Sequence, residues 1–220
     1  EKDQMAARYP FRPAPTKDVK DASGLLDQWE QYAAVARASA LSGVGDLKRT
    51  ACPGYYCPEG NGGPEMNAFE SKFRDEVPGY KQLLLQILRE DADASKRARS
   101  LYLITYLPDP SDVTALVSSG IGDPDPSVRE AAVTILNDMA VNRPDVQFPV
   151  RDMARLLDYP GAQDRQHGLA LLLSLSGNKD YTSLIYGPAA DQVLRLLRTK
   201  HPGVRQMAHT LLTVLSGETH

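Results

Sequence analysis

The sequence has no long apolar run, only two cysteines and no excess of charge of one sign. None of its apolar stretches approaches the roughly 20 residues that a membrane-spanning helix needs. The net charge is −3, and residues 1–77 carry 10 basic and 12 acidic side chains while residues 78–220 carry 15 and 16. Binding to a phosphate backbone normally needs clustered Lys and Arg. The sequence therefore indicates neither a membrane span nor a nucleic-acid partner.

The residues of familiar catalytic and metal sites are also scarce. There are four histidines in 220 residues, and none belongs to a recognised motif with a nucleophile. The aspartates of "GDPDPSVRE" (residues 122–130) lack the alternating acids and the distal Glu of an EF-hand. An Asp before a Pro is instead typical of a helix start. We therefore expect no catalytic residues, no metal and no cofactor.

Both cysteines lie in one turn-rich loop, "TACPGYYCPEGNGGPEM" at residues 50–66. Four residues separate Cys52 from Cys57, whereas haem-attachment and thioredoxin motifs have two, and a structural zinc site needs four ligands. Two unpaired thiols, a metal site and a local disulfide all stay open. We favour the disulfide, because a Pro-Gly turn can bring the two sulfurs into range. Structural disulfides persist outside the cytosol, and the sequence begins at Glu1 rather than Met, so we expect a periplasmic or secreted protein.

Composition and periodicity divide the chain into three segments. Residues 1–22 contain three prolines and no helical period, which is typical of an extended arm or tether. In residues 23–77, apolar residues recur at helical spacing on either side of the cysteine loop, and Pro64 is placed to open the second of two helices. We expect this segment to act as an amino-terminal cap on residues 78–217, which repeat.

Four segments of that last region align on a shared arginine. They are "ASKRARSLYLITYL" with Arg97, "PSVREAAVTILNDM" with Arg129, "AQDRQHGLALLLSL" with Arg165 and "PGVRQMAHTLLTVL" with Arg205. A small residue follows each arginine by three positions, and apolar residues follow it by six, seven and ten. The seventh-position residues Leu136 and Leu172 are expected to be fully buried. The arginines are 32, 36 and 40 residues apart, which is the period of a repeat made of two helices.

These segments resemble HEAT repeats, particularly the short bacterial type. Asp125-Pro126, Val128-Arg129 and Ala131-Ala132 match the family pattern, as do Pro202, Val204-Arg205 and Ala208. The first and third units depart from it, because they lack the turn proline and have Lys96 and Asp164 in place of Val. The resemblance implies an all-α fold, an α-solenoid of about four helix pairs. It also implies that each repeat arginine pairs with an acid of the neighbouring unit rather than with a ligand.

The resemblance further implies a non-catalytic scaffold that binds a protein or peptide on the concave face formed by the second helices. The side chains expected on that face are Arg99, Tyr102, Asn137, His167, Met207 and Thr213. Some HEAT-like proteins are instead phycobilin lyases or DNA glycosylases, and a purely structural spacer in an envelope assembly is a third alternative. No pocket residues match a lyase, and the balanced charge conflicts with a glycosylase.

Two tyrosines of the cysteine loop extend the list of candidate binding residues. Tyr55 and Tyr56 lie beside small turn residues, a composition typical of adaptable recognition surfaces. Alternatively, both rings fold back to cover the first helix pair, since a terminal repeat needs a cap.

Overall fold

The computed structural model describes residues 11–42, 64–143 and 145–217, and in these ranges the chain is all-α as predicted. It has ten α-helices and three 3-10 helices in that part, and the strand-like pairing found there is an isolated bridge between Lys17 and Asp91. The α-helices are α1 (Leu25–Ser42), α2 (Pro64–Glu76), α3 (Lys81–Glu90), α4 (Ala94–Ile104), α5 (Pro110–Ser118), α6 (Pro126–Asn142), α7 (Val150–Ala154), α8 (Ala162–Ser176), α9 (Lys179–Leu196) and α10 (Pro202–Ser216). The 3-10 helices are Val77–Tyr80, Ser119–Gly122 and Arg155–Asp158. None of the described helices is both long and apolar enough to cross a membrane.

Several helices begin where a polar side chain satisfies a free N–H group of the first turn. The carboxylate of Asp93 accepts from the Ser95 amide at 2.8 Å to open α4. Asp125 accepts from the Ser127 amide at 2.8 Å to open α6, with Pro126 as the first helical residue. The prediction that the aspartate before Pro126 marks a helix start is confirmed for Asp125.

The chain divides into two compact units, one of residues 14–117 and one of residues 1–13 with 118–220. We call them the amino-terminal and the carboxy-terminal unit. This division reflects which residues pack together. It does not test the three segments predicted from composition, which stay a prediction.

In the amino-terminal unit, α1 packs on α2 and α4, and α3 packs on α4. Aromatic rings fill the space between α1, α2 and α4. Trp29 of α1 stacks on Tyr102 of α4 with ring centroids 5.0 Å apart and an interplanar angle of 8°, and it also contacts Phe73 of α2. The core of this unit therefore depends on the docking of α1.

In the carboxy-terminal unit the helices form two layers. The second helices α6, α8 and α10 pack side by side in that order, and α7 packs against α9 in the other layer. The 3-10 helix Ser119–Gly122 lies on α6, the 3-10 helix Arg155–Asp158 on α8, and α9 on α10. Each second helix thus pairs with the element that precedes it in the chain, as expected for two-helix repeats. A solenoid of all four pairs stays a prediction.

Burial confirms the register of the repeats. The small residues three positions after the arginines are all buried, and Leu136 and Leu172 are fully buried. At Gly168 a Cβ atom would lie 2.7 Å from the Leu156 Cβ, so the helices approach as closely as a glycine permits. In the last unit Leu212 and Leu215 are only partly covered.

Candidate protein-binding face

Three of the repeat arginines hold the turn that precedes their own helix. The Nη1 atoms of Arg97, Arg129 and Arg205 each donate to the two carbonyl oxygens five and six residues earlier in the chain. The acceptors are Asp91 (2.8 Å) and Ala92 (3.1 Å), Asp123 (2.9 Å) and Pro124 (3.0 Å), and Thr199 (2.8 Å) and Lys200 (3.0 Å). Carbonyls at a helix end lack intrahelical partners, so these arginines have a structural role.

One of them also joins neighbouring repeats, as the family resemblance implied. The Nε and Nη2 atoms of Arg129 donate to the two carboxylate oxygens of Asp164 at 2.8 and 2.9 Å. Both side chains are largely buried, and a bidentate pair of this kind has a fixed geometry. Asp164, which departs from the family pattern, therefore ties α8 to α6.

In the carboxy-terminal unit the second helices present a mainly polar surface. Its residues lie one, five, eight and nine positions after the arginines, and most are half-buried or exposed hydroxyls and amides. We call this surface the second-helix face. It consists of Glu130, Thr134, Asn137 and Asp138 on α6, Gln166, Ala170, Leu173 and Ser174 on α8, and Gln206, Thr210, Thr213 and Val214 on α10.

Four of the side chains predicted to bind lie on this face or at its edge. Asn137 accepts a hydrogen bond from the Ser174 hydroxyl at 2.8 Å, which connects α6 to α8 across the face. Thr213 is half-buried and donates to the His209 carbonyl at 3.1 Å. His167 and Met207 are half-buried at the edge. The structure brings these four residues together on one unit.

The other predicted side chains are elsewhere. Arg99 donates to Glu30 of α1 at 3.0 Å, and Tyr102 stacks on Trp29, so in the amino-terminal unit α1 covers this side of α4. Both residues therefore contribute to packing, and a binding role for them stays a prediction. The remaining candidates Tyr55 and Tyr56, like Cys52 and Cys57, lie outside the described residues.

The second-helix face carries little positive charge. Helices α6, α8 and α10 contain no lysine, and their arginines are the three repeat arginines of the first turn. Two acids, Glu130 and Asp138, lie on the α6 part of the face. Since contacts to phosphates need Lys or Arg, this surface is suited to a neutral or basic partner.

A concave surface lies on the side of the first helices. It is a cleft of about 460 Å³ lined by Arg151, Ala154, Arg155, Gly187 and Gln192. Nothing in the sequence pattern predicted it, because these residues come from α7, the following 3-10 helix and α9, whose repeat positions are the least regular.

A buried carboxyl group in the amino-terminal unit is part of the core. Glu70 of α2 is fully buried, and its Oε1 atom accepts from the Tyr32 hydroxyl at 2.7 Å. Burial raises the pKa of Glu70, and burial likewise raises the pKa of Tyr32 and of the nearby Tyr106. Among the described residues no three His, Cys, Asp or Glu side chains are placed to hold a metal ion.

Sequence reasoning missed how the proline-containing arm is held. In the amino-terminal unit, the Lys17 amide donates to the Glu90 carbonyl at 3.1 Å, and the Val19 amide donates to the buried Asp91 carboxylate at 2.9 Å. Lys96 contacts the Asp91 carboxylate at 3.2 Å and that of Asp18 at 2.7 Å. The sequence feature that could have indicated this docking is Lys96, a charged residue where the family pattern has Val.

Comparison with known proteins supports the repeat assignment. Residues 82–173, from α3 into α8, match the family model described as HEAT repeats. No curated protein and no solved structure gives a match.

Proposed function

The chain carries HEAT repeats over residues 82–173, and from that premise we propose that it is a non-catalytic scaffold that binds a protein or peptide on the second-helix face. HEAT repeats generally serve as scaffolds for protein interaction, because stacked helix pairs provide an extended surface. Function still depends on the residues of the site rather than on the fold.

The chemistry of the second-helix face supports a protein partner. Thr134, Ser174 and Gln206 are exposed and offer both donors and acceptors, and no lysine interrupts the surface. The centres of protein interfaces are depleted in charged residues, and short hydroxyl side chains lose little entropy when they are ordered. In the amino-terminal unit, by contrast, α1 covers the equivalent side of α4.

Substitutions on the face test this proposal. We expect Thr134→Lys with Gln206→Lys to weaken binding of a partner captured by the wild-type chain at least tenfold without lowering the melting temperature. The matched control is Ser183→Lys with Leu184→Lys, which adds the same charge at exposed positions of α9. Equal capture by the face variant, or loss of capture by the control, would contradict the proposal.

We also propose that the protein is exported, with Cys52 and Cys57 joined as a disulfide. The spacing of the two cysteines supports this, since structural disulfides persist in oxidising compartments. Protein recovered from such a compartment and unfolded without reductant should show no alkylated thiol by mass spectrometry. Two alkylated cysteines in that sample would contradict the disulfide.

A further inference from the structure

The tip of the arm docks on the carboxy-terminal unit through two adjacent side chains. The Phe11 ring lies edge-on to the Tyr159 ring, with centroids 5.0 Å apart and an interplanar angle of 78°. The Arg129 guanidinium lies over the Phe11 ring, 4.7 Å from its centroid. The next residue, Arg12, forms an ion pair with Asp123. An aromatic residue and an arginine thus occupy one site.

The aromatic half of this site is a rigid platform. Four hydrogen bonds fix the Arg129 guanidinium, two to turn carbonyls and two to Asp164, all between 2.8 and 3.0 Å. The Tyr159 hydroxyl donates to the Ile121 carbonyl at 2.8 Å, so this ring is fixed as well. When the N–H groups of a guanidinium donate hydrogen bonds in its plane, its flat face is available to stack on an aromatic ring. Because the platform is preorganised, little entropy is lost when a ring binds.

The half of the site that receives the arginine is a buried carboxylate. Asp123 is 0% exposed, and its Oδ1 atom accepts from the Asp125 amide at 2.9 Å while its Oδ2 atom meets Arg12. A buried carboxylate is costly unless it is paired and hydrogen-bonded. The site therefore selects a cation beside the ring.

The chain that follows the tip is loosely held. Residues 13–16 include Pro13 and Pro15, and they make no hydrogen bond with the described part of the chain. The ordered contacts of the arm resume at Lys17. The tip can therefore leave its site while the arm stays anchored from residue 17 onward.

We propose that the site formed by Asp123, Arg129 and Tyr159 recognises a protein segment in which an arginine follows an aromatic residue, and that the arm tip is its built-in occupant. A partner carrying such a segment displaces Phe11 and Arg12 and binds through the same ion pair and ring contacts. This is a second binding site, separate in its residues from the second-helix face, and the tip regulates access to it.

A peptide of the arm tests the proposal in the full chain. The probe is the fluorescently labelled peptide "RYPFRPAPT" (residues 8–16), and its binding is measured by anisotropy to the wild type and to Phe11→Ala with Arg12→Ala. The variant lacks the two side chains that occupy the site. In the wild type, the tethered tip competes with the peptide at a high effective concentration. We expect the variant to bind the peptide at least tenfold more tightly than the wild type does.

Two controls make the result specific to the site. A peptide with both residues replaced by Ala should not bind, and adding Asp123→Asn to the variant should weaken peptide binding at least tenfold. If the double variant loses its helical circular dichroism, Arg12→Gln alone takes its place, with the same expected order of affinities. Equal binding by wild type and variant, or no binding by a folded variant, would overturn the proposal.

Discussion

Gly168 shows how a single residue sets the distance between two elements. A Cβ atom there would lie 2.7 Å from the Leu156 Cβ and 3.2 Å from the Leu157 Cδ2. Overpacking of this kind usually costs about 1–3 kcal/mol. We expect Gly168→Ala to lower the free energy of unfolding by about that amount in urea titrations, although alanine favours helices.

Gly187 in α9 provides the control for this prediction. A Cβ atom there meets nothing within 4 Å, so Gly187→Ala adds helix propensity without a clash. The expected change is a stabilisation of up to about 1 kcal/mol. If the two substitutions shift stability in the same direction, the close approach of the helices is not the reason that position 168 requires glycine.

Glu70 should make stability depend on pH. Burial raises the pKa of its carboxyl above the ordinary value of 4.5, so the folded chain keeps this proton to a higher pH than the unfolded chain does. Unfolding then releases a proton, and the contribution of Glu70 is fully present below pH 4.5 and is lost as pH rises through the folded pKa. With its neutral amide, Glu70→Gln should gain stability relative to wild type as the pH rises above 4.5 and through the folded pKa of Glu70.

Urea unfolding at several pH values measures this difference. The matched control is Glu65→Gln, which removes an exposed carboxylate from the same helix. The control should leave the difference from wild type nearly constant over the same pH range. Parallel pH profiles for wild type and Glu70→Gln would show that the buried carboxyl is not retained as a neutral group.

Among the elements, the second helices depend on a shared column of leucines. Leu136 and Leu172 are fully buried in α6 and α8, whereas Leu212 at the same position of α10 is partly exposed. Leu→Ala at a fully buried site costs about 2–5 kcal/mol. We expect Leu136→Ala and Leu172→Ala to fall in that range and Leu212→Ala to cost clearly less, as measured by denaturant unfolding. Equal losses at the three positions would contradict the register.

The same elements show what sequence can and cannot predict. The arginine columns and the Asp125-Pro126 turn predicted second helices and their buried faces, because periodicity and capping are local. The docking of α1 on Tyr102 and Arg99 was not predictable, since it depends on contacts between residues about 70 positions apart. For that reason two of the predicted binding residues lie under a helix.

Departures from a repeat pattern proved as informative as the matches. Lys96 and Asp164 replace the expected Val, and each forms an ion pair that an apolar side chain could not make. Lys96 fastens the arm in the amino-terminal unit, and Asp164 fixes the arginine on which Phe11 stacks. Polar residues at a normally apolar position of the repeat therefore mark tertiary contacts in both units.

At the scale of the molecule, two surfaces of the carboxy-terminal unit have different chemistry. The second-helix face of the carboxy-terminal unit is mainly polar, with two acids and no lysine, whereas the site for the arm tip combines a buried carboxylate with aromatic contacts. A scaffold with two such surfaces can hold one partner and exchange the arm for a segment of another. The proposed function requires that the second-helix face contacts a protein.

Photo-crosslinking detects such a contact at single positions of the face. A photoreactive phenylalanine analogue is placed at Thr134 or Gln206 on the face and, as a control, at Ser183 on α9, all three exposed. After irradiation in the native extract, we expect a common crosslinked protein at positions 134 and 206 that is absent at position 183. Crosslinking to that protein at position 183 alone would contradict the claim and move the binding surface to the first helices.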